Sequence, residues 1–404
     1  MNRSVRTLLA IALVLGIAGG ATGPVSASVP AGSAAGSGPA VSGAPRPQDA
    51  PDARALRAAI AGLPHQDTVA ALVRVGGTDG SWRGSAGVHD LPSGRPADPA
   101  ARFRAGSVTK VFTAAAVLQL AGERKLSLDR PARHYLPDLI PASYGEVTVR
   151  RLLDHTSGIP AADLPGANLE EWYAHRFDVH TPRSMVASAT AKEREFAPGV
   201  SQHYLNINYT VLGLLVERVT GHTYEREVSD RILRPLGLRS TYFPGADPGI
   251  RGPHNRGYQV FPTPGGGVEL RDVTVWGPTD GWAAGDIIST TADLERFTTA
   301  LFRGQVVRGP LLEEMFTLPD ASVRTYGSGE PAQFSAGLSV LTLGGRQVWG
   351  KTGGRWGYNT AVAATRDLSR TLVHSVGATD AKGKDANATA MAIAVAAFGP
   401  PPAA

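Results

Sequence analysis

The chain contains no cysteine in its 404 residues. Disulfides and thiolate metal sites are therefore excluded. Its ten histidines are scattered, and none forms an H-E-x-x-H or another metal-binding pair, so no metal site and no cofactor are expected. There is no G-x-x-x-x-G-K-[ST] loop for phosphates and no G-x-S-x-G elbow of the α/β-hydrolase type. No lysine/arginine run or aromatic–basic stripe is present, and a net charge of +5 is too mild to argue for nucleic acid. Long apolar runs are also missing after residue 17, so nothing downstream is long enough to span a bilayer. Lysine itself is scarce: of 40 basic residues only six are lysine, leaving 34 arginines.

What is present starts with an export pattern. Arg3 and Arg6 precede an apolar stretch from Leu8 to Ile17, and Val25-Ser26-Ala27 is a small-x-small cleavage site. Residues 1–27 are read as a signal peptide. Residues 28–51 are almost all Ala, Gly, Ser, Pro and Val, which cannot bury enough side chain to offset ordering and should form a flexible tether. Without a cysteine to carry a lipid, a secreted product with no membrane anchor is expected. A hydrophobic content of 42% then supports one globular domain over residues 52–400.

Within that domain the hydrophobic spacing predicts a helix over 52–63, strands over 68–75 and 82–88, and a helix after Ser107. The middle of the chain reads as helical, with clear segments at 149–155, 206–220, 224–233 and 291–302. The C-terminal part turns to strands at 334–342, 346–352, 358–365 and 371–378, followed by a helix over about 384–398. The expected fold class is α+β: an antiparallel sheet built from both ends of the chain and flanked by the terminal helices. A mostly helical lobe is inserted between the two halves, and a cleft between sheet and lobe is the expected site.

Three short motifs could supply chemistry there. Ser107 and Lys110 lie one helical turn apart, so hydroxyl and amine can touch. Lysine, unlike arginine, can give up its proton when buried, which makes a serine nucleophile with a lysine base possible. Alone, the spacing equally suits a solvated surface pair. Tyr204 and Asn206 place a phenol and an amide just before a predicted helix; a tyrosine beside an ammonium can have its pKa lowered and exchange protons. Lys351-Thr352-Gly353-Gly354 ends a strand, with small residues that let a ligand approach the backbone. A backbone N–H there could pair with that of Ser107 as an oxyanion hole.

Taken in this order, the three motifs resemble those of the penicillin-recognising serine hydrolases. The likeness is to the group holding the secreted D-alanyl-D-alanine carboxypeptidases and class C β-lactamases, and closest to the secreted carboxypeptidase of filamentous actinomycetes. The stretches Phe103 to Lys110, Leu152 to Pro160, Val211 to Gly221 and Gly285 to Leu294 extend the likeness over nearly all of the domain. The resemblance implies Ser107 as acylated nucleophile, Lys110 as base or proton relay, and Tyr204 as proton donor to the leaving group. It implies Asn206, Lys351, Thr352 and Gly353 as substrate-binding residues, and the N–H groups of Ser107 and Gly354 as oxyanion hole. His155 is expected to be a buried structural residue.

Two departures bear on the substrate. Ser339 stands where the carboxypeptidase carries an arginine that grips the substrate carboxylate, and Arg355 is the candidate replacement. Lys351 stands where that enzyme has histidine. The expected activity is release of the terminal D-Ala from peptidoglycan stem peptides, with β-lactams acylating the same serine and a monomeric protein. The alternatives are a β-lactamase, an esterase or a D-amino-acid amidase with the same machinery, or a catalytically silent binding homologue.

Overall fold

Two stretches of chain about 250 residues apart build one sheet. In the computed structural model, which describes residues 50–166, 168–383 and 385–399, β1 (Thr68–Gly76) and β2 (Trp82–Gly87) come from the start of the domain. β3 (Ser339–Leu343), β4 (Arg346–Arg355), β5 (Tyr358–Thr365) and β6 (Thr371–Ala378) come from its end. The order is β2-β1-β6-β5-β4-β3, and every neighbour is antiparallel. The expected architecture is thus observed. The expected signal peptide and all but the last two residues of the expected tether lie outside the described residues. Among the described residues no helix is long and apolar enough to cross a membrane.

Strand alternation divides the sheet's side chains between two cores. Val73, Val75, Val348, Leu372 and Val376 pack with Leu56 of α1 (Ala53–Ala59) and with Ile393 and Phe398 of a helix at residues 388–398. The opposite face, with Val362, Ala364 and Val373, packs against the helical lobe. At the centre of the lobe lies α2 (Thr109–Gly122), which is apolar around its circumference and buried from Thr109 to Leu118. A helix hydrophobic on all sides belongs in a core rather than on a surface. The Phe112 ring stacks on Phe297 with centroids 3.7 Å apart.

Several elements end differently from expectation, each for a local reason. The first helix stops at Ala59, before Gly62 turns left-handed at φ 75°. The expected strand over 334–342 begins only at Ser339, because Gly337 takes φ 83° and packs its backbone against α2, where a Cβ would lie 2.7 Å from that of Ala114. The segment 224–233 is α-helical to Val228 and continues as a π turn over Ser229–Leu233. α3 (Asn206–Thr220) and α4 (Thr291–Phe302) match their expected spans. The final helix, α5 (Ala388–Phe398), starts later than expected because Asn387 caps it, accepting a hydrogen bond from the Ala390 N–H. A hairpin of Tyr258–Pro262 with Val268–Asp272 was not foreseen, its proline- and glycine-rich turn reading as loop.

Candidate active site

Ser107 sits on a tight turn, Gly106–Val108, that feeds directly into α2. Gly106 adopts φ 53°, and a Cβ on it would lie 2.8 Å from the Gly354 nitrogen. Reciprocally, a Cβ on Gly353 would lie 2.0 Å from the Ala105 carbonyl oxygen and 2.9 Å from the Ser107 nitrogen. Glycine on both sides is what lets the turn and β4 touch backbone to backbone. The amides of Ser107 and Gly354 are thereby brought to the same small region.

The turn is braced from behind. The Thr109 hydroxyl donates to the Gly106 carbonyl at 2.7 Å and accepts from the Ile287 N–H at 3.1 Å. The Thr113 hydroxyl donates to the Ala283 carbonyl at 2.6 Å. These bonds tie the start of α2 to a second turn, Trp282–Ala284, whose first residue is left-handed at φ 33°. Trp282 is held there by its indole N–H, which donates to Glu225 at 2.7 Å.

That second turn supplies what the sequence did not reveal. Lys110 Nζ lies 3.1 Å from Ser107 Oγ, 2.7 Å from Asn206 Oδ1 and 2.8 Å from the Ala284 carbonyl. Asn206 and Ala284 can only accept from the amine through these oxygens. A neutral amine has two hydrogens for them and one lone pair, and the lone pair is left for the Ser107 hydroxyl. Lys110 is 0% exposed. Burial, reinforced by the neighbouring Lys351 and Lys382 amines, holds its pKa well below the usual lysine value. Desolvation and the neighbouring amines therefore favour the free amine, and the three contacts can accommodate it.

Tyr204 lies across the cleft from that amine. Lys110 Nζ is 4.9 Å and Lys351 Nζ 4.6 Å from its ring centroid. Its ring packs on His155 at 4.5 Å and on Phe334 at 4.7 Å. The hydroxyl is buried and makes no hydrogen bond of normal geometry, although Ser107 is near enough to favour its ionised form slightly. Burial outweighs that influence and raises the phenol's pKa above its ordinary value. This corrects the expectation of a lowered value. The two amines face the ring, and they are themselves pushed toward neutrality.

Lys351 leaves β4 on the lobe face, is 5% exposed, and donates to the Thr352 carbonyl at 2.9 Å. Desolvation brings its pKa down to about 7. Thr352 leaves the strand on the opposite side, so the two reach a common ligand only along the strand edge. That edge is open. The ladder to β3 ends at Gly350 opposite Ser339, and Lys351–Arg355 have a β-strand only on the β5 side. Asn206 is exposed at the first turn of α3, with its oxygen committed to Lys110.

Other side chains that sequence reasoning singled out have structural roles. Arg355 is buried and bound two-pronged to Asp280 at 2.8 and 2.9 Å, so it is not free to replace the missing arginine. The Ser339 hydroxyl donates to the Gly350 carbonyl at 3.1 Å. His155 is buried, with its pKa pushed well down by desolvation, as a structural histidine should be. Trp276 and Trp356 stack in a small core of their own, and Trp349 packs edge-on against Phe316. Among the described residues no group of acidic or histidine side chains could hold a metal.

Two further residues were not foreseen. Gln202 donates to the Asp154 and Phe334 carbonyls and accepts from the Gln333 and Phe334 N–H groups, which fixes Phe334 against Tyr204. A lone glutamine two residues before the tyrosine carries no signal in the sequence. Lys382, on the loop after β6, reaches the neighbourhood of Lys110 and has no hydrogen bond or ion pair among the described residues.

Comparison with known proteins adds family-level information. Residues 56–398 match the protein family described as Beta-lactamase. The chain is 35% identical over 179 residues to an esterase, EstB, of Burkholderia gladioli, covering 41% of this chain and 45% of that protein. It is 28% identical over 237 residues to a putative penicillin-binding protein, PbpX, of Bacillus subtilis, covering 57% of this chain and 54% of that one. The chain thus matches about half the length of these two relatives. Among solved structures, a D-stereospecific amidohydrolase from Streptomyces sp. superposes with a TM-score of 0.73 at 30% identity, covering 86% of this chain and 99% of that one.

Proposed function

The chain belongs to the beta-lactamase family of serine hydrolases, and from that premise we propose that it cleaves D-aminoacyl amides and peptides through an acyl-enzyme on Ser107. The observation that carries the chemistry is the three-way setting of Lys110, which leaves a lone pair on the Ser107 hydroxyl. Ser107 Oγ attacks the substrate carbonyl and passes its proton to Lys110. The N–H groups of Ser107 and Gly354 take the developing oxyanion. Tyr204, kept protonated by burial, gives its proton to the departing nitrogen and regains one from the Lys110 ammonium. Water then repeats the sequence in reverse and frees the serine. Asn206, with its oxygen on Lys110, offers its amide nitrogen to the substrate carbonyl side, and the open edge of β4 at Lys351–Gly353 receives the substrate backbone.

The choice of an amide or internal peptide bond follows from the carboxylate site. Ser339 bonds to its own sheet and Arg355 to Asp280, so neither grips a terminal carboxylate. The Streptomyces relative, a D-stereospecific amidohydrolase, supports a D-configured acyl group. A second reading, D-alanyl-D-alanine carboxypeptidase acting on peptidoglycan stem peptides, is favoured by one observation: the Lys382 ammonium near Lys110, unpaired among the described residues, is a cation for a substrate carboxylate. Both readings carry the proposal of an exported enzyme acylated by β-lactams.

The test pairs two substrates on the purified protein, with Ser107→Ala as control. Ammonia release from D-alaninamide and D-phenylalaninamide is compared with D-alanine release from an N-acylated Lys-D-Ala-D-Ala tripeptide. Turnover of the amides that vanishes in the control, with little from the tripeptide, is the expected outcome. Preferential tripeptide cleavage would replace the amidase reading with the carboxypeptidase one. A protein that gains no covalent adduct from penicillin and turns over neither substrate nor a short-chain ester would overturn the acyl-enzyme.

A further inference from the structure

On the face of the sheet away from the cleft lies a cavity of about 350 Å³ between β3–β6 and α5. Its origin is legible in side-chain size. Ala361 and Ala363 of β5 look across at Ala390 and Ala394 of α5, so alanine meets alanine where a packed core would place branched residues. Leu341 and Leu372 complete apolar walls. The volume falls within the range of roughly 300–1,000 Å³ typical of small-molecule sites.

Polar residues, Thr352, Asn359 and Asn387 among them, also border the cavity, and one buried polar atom in its lining has no partner. His374 of β6 borders the cavity, is 4% exposed, and its Nδ1 has no hydrogen-bond partner. The strand partners of His374 are Val73 and Ala361, which offer it no side-chain polar group. A buried imidazole nitrogen without a partner is costly. Desolvation also brings its pKa down to about 4, so the ring is neutral at ordinary pH and suits an uncharged partner.

We propose that this cavity binds a medium-chain alkyl molecule with one uncharged hydroxyl-type head, its chain among the alanines and its head on His374 Nδ1. The cavity shares Lys351, Thr352 and Gly353 in its wall with the edge of the cleft, but its His374 end lies across the sheet from Tyr204: Val348 of β4 packs toward α5, whereas Lys351 of the same strand faces Tyr204.

Binding is measured on the full chain with n-octanol and n-octane, by thermal shift and by the imidazole ¹⁵N resonances of His374. Octanol is expected to raise Tm saturably by a few degrees, to move the His374 resonances, and to bind about 5-fold more tightly than octane, the equivalent of one neutral hydrogen bond. Ala394→Phe and, separately, Ala363→Val fill the space and should weaken both ligands while leaving hydrolysis intact. His374→Leu should keep octane and lose the preference for octanol, and Ser107→Ala should bind as the parent does. Absence of saturable binding, unmoved His374 resonances, or binding that persists in both filled variants when they remain folded would overturn the assignment.

Discussion

A single lysine in this chain is asked to be uncharged, and nearly all of the chemistry depends on it. Lys110 is completely buried, is bonded to two carbonyl-type oxygens, and has no carboxylate to hold its proton. Lys110→Arg keeps a long basic side chain but cannot deprotonate. Penicillin acylation, followed by mass spectrometry, should slow by about 10²–10⁴-fold with the circular dichroism unchanged. Lys351 makes a different prediction, about stability. Its pKa is about 7 in the fold against an ordinary 10.5. Between those values the unfolded chain holds a proton that the folded chain lacks, so this residue makes stability rise with pH over that window, by at most about 1.4 kcal/mol per pH unit. Below pH 7 both states are protonated and its burial cost is fully present. Urea unfolding at pH 7 and pH 9 should therefore give a smaller difference for Lys351→Met than for the parent. Ser107, Lys110, Tyr204, Asn206 and Lys351 could all be named from the sequence because each belongs to a short motif. The Ala284 carbonyl could not, because any residue has one and only the fold aims it.

Elements carry the next level of constraint. Helix spans such as Asn206–Thr220 and Thr291–Phe302 were readable because period and boundary signals agree within the segment itself. The turn at Gly337 was not, since it is set by contact with α2 far back in the chain, and the free edge of β4 follows from that turn, because β3 begins only at Ser339. The same is true of the junction between β4 and the Ser107 turn. Gly353 lies so close to Ala105 and Ser107 that a methyl group must displace one backbone or the other. Gly353→Ala should therefore impair acylation far more than substrate affinity, because it moves the two amides meant for the oxyanion. Comparing the acylation rate constant with the dissociation constant in stopped-flow separates these effects; an unchanged acylation step would refute this account of the junction.

For the whole molecule, the outcome most readily inferred was the two-ended sheet, because strand-like alternation is concentrated at both ends of the domain and helical spacing between them. What could not be inferred was how loosely α5 would lie on it, since alanine is equally at home in a tight contact and beside a void. Where α5 does pack well, its last residue anchors it: Phe398 is 5% exposed among Leu343, Val348 and Ile393. Phe398→Ala should cost roughly 3–5 kcal/mol in urea unfolding, whereas an exposed site on the same helix should cost little. The placement of β6 between β1 and β5 also sets a timetable. The nucleophile, its amine and the phenol emerge from the ribosome well before the strand that bears Lys351 and Gly354, and β1 lacks one of its two neighbours until Thr371–Ala378 has been made. Pairings so distant in sequence close slowly. A chain interrupted anywhere in its middle would thus hold Ser107 without a pocket around it, and the proposed hydrolysis has to wait until β6 has been made.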